Sequence, residues 1–116
     1  MITDEELRAL IERGEEPSQQ TVEKQRFVSD LWYGVSFFSC TFKACKFNSV
    51  DLRESALMNC QFEDCEFTNC NLNNIRILKT SLKSVRQFPP NLIQIEYTFV
   101  QRGKLGFNRS RVFMGI

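Results

Sequence analysis

Large apolar residues return at every fifth position from Trp32 onward: Trp32, Phe37, Phe42, Phe47, Leu52, Leu57, Phe62, Phe67, Leu72, Ile77 and Leu82. A second column lies two positions before the large residue of each repeat. It holds small or medium-sized side chains: Val35, Cys40, Cys45, Val50, Ser55, Cys60, Cys65, Cys70, Ile75 and Thr80, then Val85. The other three positions are mostly polar. An α-helix repeats at 3.6 residues and a plain strand at two, so neither yields a strict period of five. A fixed short period points instead to a stacked, solenoidal architecture, in which each unit buries its apolar face against its neighbours.

The phrases "CTFKA", "CKFNS", "VDLRE", "CQFED", "CEFTN" and "CNLNN" resemble the pentapeptide-repeat family. That family's repeat centres on Leu or Phe, with Ala, Cys or another small residue two positions before. The resemblance runs from about Val35 to Val85 and implies a right-handed quadrilateral β-helix with four repeats per coil. Upstream, Gln25 and Asp30 occupy the small inward positions before Phe27 and Trp32, so a regular coil is expected only from residue 31. A coil of twenty residues places i over i+20. Lys43 then lies over Glu63 over Lys83, and Lys46 over Glu66, with opposite charges adjacent as stacked strands favour.

The expected fold is therefore an all-β solenoid, a short quadrilateral β-helix with an N-terminal amphipathic helix and a C-terminal strand-rich segment. Residues 1–30 read as helix and linker, 31–85 as the repeat β-helix, and 86–116 as a capping or association segment. Thr3 and Glu6 form a capping box and Ile2 with Leu7 a hydrophobic staple, predicting a helix over 3–13 that ends at Gly14. Residues 15–25 read as a linker. Val28, Leu31 and Tyr33 fall on outward positions and call for a cover. Beyond "FPPN", "LIQIEYTFV" reads as a strand, and the residues around Phe107 and Val112 as a second strand or two degenerate repeats. A short solenoid needs its open ends closed, so the helix is expected at one end and the C-terminal strands at the other.

The five cysteines all fall on inward positions, with Cys40 over Cys60 and Cys45 over Cys65. Their spacing is not of the CxxC type, and the chain has no histidine to assist, so they read as small apolar filler rather than metal ligands. A serine in their place is expected to leave an underpaired hydroxyl.

Charge is graded along the chain: net −4 over 1–30, +1 over 31–85 and +4 over 86–116. The absence of histidine removes the commonest general base, and a coil filled with Phe and Cys offers no pocket, so no enzyme activity, catalytic residue or cofactor is expected. No apolar run is long enough to span a membrane. The acidic N-terminus lacks the features of a secretory signal, and an odd cysteine count suits a reducing compartment, so the expected location is the cytoplasm.

What remains is recognition. Three outward positions stack on one face, Phe38, Met58 and Leu78, bordered by Ser36 and Ala56. An aligned apolar row needs a cover: either the stripe Leu7, Leu10, Ile11 or the strand 92–100 of the same chain, or a protein partner. The resemblance implies a bacterial, non-enzymatic interaction module, with secretion-associated adaptors, effectors and immunity partners among the relatives. One alternative is a structural protein that self-associates, as a homodimer through the C-terminal segment or a coil end. A second is a DNA-mimicking gyrase-protection protein. Mimicry of a duplex needs a long acidic rod, whereas this repeat region is short and carries +1, and nucleic acid is not an expected partner.

Overall fold

A computed structural model describes residues 1–87, together with the backbone of two later strands, Gln94–Glu96 and Phe99–Val100. Helix α1 (Asp4–Glu12) comes first. A coil of three-residue strands follows: β1 (Thr21–Glu23), β2 (Arg26–Val28), β3 (Ser36–Phe38), β4 (Thr41–Lys43), β5 (Lys46–Asn48) and β6 (Ala56–Met58). It continues through β7 (Gln61–Glu63), β8 (Glu66–Thr68), β9 (Arg76–Leu78) and β10 (Ser81–Lys83) to β11 (Gln94–Glu96) and the two-residue β12 (Phe99–Val100). The strands stack into three parallel sheets, ordered β1-β4-β7-β10-β12, β3-β6-β9-β11 and β2-β5-β8. Isolated parallel bridges joining Leu31, Asp51 and Asn71 make the fourth side. Residues twenty apart pair directly, as in Phe42 with Phe62 and Phe47 with Phe67. The expected square coil is the observed one.

The period of five has a backbone cause. From Gln19 to Ser84 every fifth residue has positive φ, with Gly34 among them and the others between 49° and 60°. Each such residue turns the chain through one corner. The left-handed region is unfavourable for β-branched side chains, and none occupies this column. Gln87, only three residues beyond Ser84, is the first to break the rhythm.

Inside, rings stack between coils. Phe47 lies between Phe27, at 5.4 Å and 12°, and Phe67, at 4.5 Å and 10°. Phe42 and Phe62 stack at 4.9 Å and 8°. Neighbouring faces meet edge-on, as Phe42 does with Phe47 at 5.6 Å and 66°. Offset stacks and edge contacts are the favourable geometries for aromatic quadrupoles, so one layout satisfies both directions.

The coil starts at Thr21 rather than at residue 31, and the expected linker over 15–25 contains β1. Val22 and Phe27 are fully buried, and Pro17 continues the column of large residues in a buried position. The polar residues that broke the sequence pattern bind the helix. Gln25 Oε1 accepts from the Asp4 N–H at 2.9 Å, and the Asp30 carboxylate accepts twice from Arg8 Nε. The helix thus closes the N-terminal end as expected, with Leu7 fully buried and Ile2, Leu10 and Ile11 packed on the core. Its capping box is formed, Thr3 N–H to Glu6 Oε1 at 2.8 Å and Glu6 N–H to Thr3 Oγ1 at 3.2 Å.

At the other end the strand expected over 92–100 is two strands on adjacent sheets. β11 pairs with β9 and β12 with β10, placing Ile95 beside Ile77 and Val100 beside Leu82. These offsets are eighteen residues instead of twenty. The chain therefore resumes the stack two residues short after "FPPN". The expected features around Phe107 and Val112 lie outside the described residues.

Candidate protein-interaction face

Phe38, Met58 and Leu78 stand in register on β3, β6 and β9. Each follows an inward neighbour (Phe37, Leu57, Ile77), and strand alternation turns it outward. All three are half-buried. Ala56 beside them is buried, and Ser36 and Arg76 complete the adjoining column. Neither expected internal cover lies across this row. Helix α1 sits on the first coil near Thr21 and Asp30, while β11 extends the same sheet, with Glu96 paired to Leu78. Among the described residues the row is uncovered.

Two other faces carry charged rows. Glu23, Lys43, Glu63 and Lys83 form an alternating ladder on one, and Arg26, Lys46 and Glu66 align on the next. Register is as the sequence suggests, yet the four ion pairs of the described residues lie elsewhere: Arg8–Asp4, Arg8–Asp30, Arg13–Glu15 and Arg53–Asp51. The ladder charges face water, where each pair contributes little.

The cysteines are inward and free, four of them buried and Cys70 partly so. Their thiols also donate between coils. Cys60 Sγ reaches Phe37 O at 3.5 Å and Met58 O at 3.4 Å, and Cys65 reaches Phe42 O and Glu63 O, both at 3.4 Å. The Thr80 hydroxyl lies within reach of the two equivalent carbonyls, Leu57 O at 3.1 Å and Leu78 O at 2.9 Å, and donates its one hydrogen there. Hydrogen bonding with Cys40, then burial, pushes the Cys60 thiol up; Cys45 and burial do the same to Cys65. Cys60 and Cys65 therefore stay protonated and are poor nucleophiles, whereas the same hydrogen bonds lower their partners Cys40, to about 7, and Cys45.

The void among the core rings holds only about 10 Å³, too small for a substrate. Among the described residues no three Cys, Asp or Glu side chains converge as metal ligands, and no helix is long and apolar enough to cross a membrane.

One feature of the first coil has a sequence signal that the repeat pattern hides. Val28, Leu31 and Tyr33 are 50, 76 and 59% exposed, so the cover they call for is absent among the described residues. Leu31 stands where the next two coils carry Asp51 and Asn71, a difference visible only once the coils are aligned.

Parallel three-residue strands, a left-handed corner every fifth residue and a core of stacked rings define a four-sided β-solenoid with a helical cap. The family model for pentapeptide repeats matches residues 36–74 in eight copies. No curated protein matches the chain.

Proposed function

We propose that this protein is a non-enzymatic protein-interaction module whose contact face is the sheet bearing Phe38, Met58 and Leu78. The observation that carries this reading is the apolar ladder in register across three strands, uncovered among the described residues and flanked by faces with charged rows. A preformed face loses little conformational entropy on binding, and Phe and Met are enriched at interface centres. A cytoplasmic adaptor, effector or immunity partner is the use we infer for such a face. Duplex mimicry is disfavoured by the mixed-sign ladders on the neighbouring sheets.

Self-association is the second reading, and the ladder's own symmetry favours it. A two-fold axis parallel to the strands and passing through Met58 sets Met58 on its copy and Phe38 against Leu78, an isologous contact. Met58→Asp tests both. Met58 is half-buried, so the variant is expected to melt near the parent while losing proteins that the parent retains in a pull-down from cell lysate. Under the second reading, light scattering instead shows a parent dimer becoming a folded monomer. A sharply lower melting temperature with association unchanged overturns both readings, because the face is then covered by its own chain.

A further inference from the structure

The N-terminal edge of the coil is capped by its own chain at three carbonyls of β1 and β2, and uncapped on the bridged side. Thr21 O accepts from the Ile2 N–H at 3.0 Å, Glu23 O from Gln25 Nε2 at 3.1 Å and Arg26 O from Arg8 Nη2 at 3.3 Å. On the bridged side the Asp51 N–H donates to Asp30 O at 2.9 Å, and Asp51 O accepts from the Trp32 N–H at 2.8 Å. Residues 30 and 32 therefore face the second coil, and the N–H and C=O of Leu31 between them point away from it. Neither has a partner among the described residues.

The next corner is open as well. In the second and third coils the side chains of Asp51 and Asn71 accept from the N–H groups of Arg53 and Asn73, each at 3.1 Å. Leu31 holds the equivalent place in the first coil and has no acceptor, so the Tyr33 N–H lacks the bond its counterparts make. Beside this edge a cleft of about 310 Å³ runs between helix and coil, with apolar walls at Ile11, Leu31 and Trp32 and polar ones at Arg8, Ser29 and Asp30. Its rim carries Glu12, which has no ion-pair partner among the described residues, whereas Arg8 and Asp30 already pair with each other.

Unpaired strand-edge groups recruit an extended backbone, apolar walls such as Ile11, Leu31 and Trp32 take an aliphatic side chain, and a lone carboxylate selects a cation. We propose that this edge docks an extended segment of a partner protein in which an aliphatic residue adjoins a lysine or arginine. The site is separate from the Phe38–Met58–Leu78 face, and either can fail without the other.

Fluorescence anisotropy with a labelled, acetylated hexapeptide alternating valine and lysine tests the proposal on the full chain. Binding is expected, with a loss of about tenfold or more when alternate peptide amides are N-methylated, since the backbone bonds are then blocked. A valine–glutamate peptide is expected to bind about tenfold more weakly, and Glu12→Lys to reverse that preference. Glu12 ends a helix that has no basic residue in its last turn, so lysine there suits the helix dipole and the fold should persist. Leu31→Asn is the second variant. It copies the corner of the third coil, so the expected result is lost binding with an unchanged or higher melting temperature. No binding by the valine–lysine peptide overturns the proposal. So does binding indifferent to N-methylation and to Glu12→Lys, which reports nonspecific charge attraction.

Discussion

Arg8 Nε donates to both carboxylate oxygens of Asp30 at 3.0 Å, tying the helix to a corner of the first coil. The same guanidinium bonds Asp4 at 2.7 Å and lies 5.5 Å from the centre of the Phe27 ring. The Asp30 side chain is only 14% exposed, so Arg8 replaces much of the water its oxygens have lost.

Arg8→Leu is expected to destabilise the fold by roughly 1–3 kcal/mol, because a largely buried carboxylate loses its counter-ion. Asp30→Val in the same chain should recover much of that, since Val50 fills the equivalent place one coil on and is fully buried. Chemical denaturation of the two single variants and the double variant measures the coupling. Additive effects would mean that helix and corner do not depend on each other.

Phe47 is stacked on both sides, by Phe27 and Phe67, and touches the edges of further rings. Phe47→Ala should cost roughly 3–5 kcal/mol, a large share of a small domain's stability. A variant that melts close to the parent temperature would remove Phe47 from the centre of the core.

Ala44 turns a corner at φ 52°. Ala44→Val should destabilise by about 1–2 kcal/mol through clash with the following carbonyl, while Ala44→Gly should be neutral or stabilising by up to about 1 kcal/mol. Thermal melts separate the two. Equal tolerance of valine and glycine would show that this corner is not left-handed.

Cys60→Ser is expected to cost no more than about 1 kcal/mol, because a hydroxyl there finds the carbonyls of Phe37 and Met58. The sequence alone suggests an underpaired hydroxyl; Thr80 demonstrates the opposite in the same column. A loss several times larger would point to thiol packing that oxygen cannot replace.

The amino-acid order determined the coil. Residues such as Phe42, Phe62 and Leu82 recur at a fixed interval because each must fill the same interior site one coil later, and the fixed interval gives register, the inward cysteines and the aligned row of Phe38, Met58 and Leu78. The capping box at Thr3 and Glu6 was equally legible, since its partners lie within one helical turn. What periodicity could not decide was the first coil. Gln25 and Asp30 look wrong for an interior column until Asp4 and Arg8, far away in sequence, supply their partners. The return of β11 and β12 to the stack at an offset of eighteen was hidden for the same reason. A period records how each coil repeats its neighbour, whereas a cap, an edge or a cover is a contact made once between distant segments, and only the folded chain brings those together.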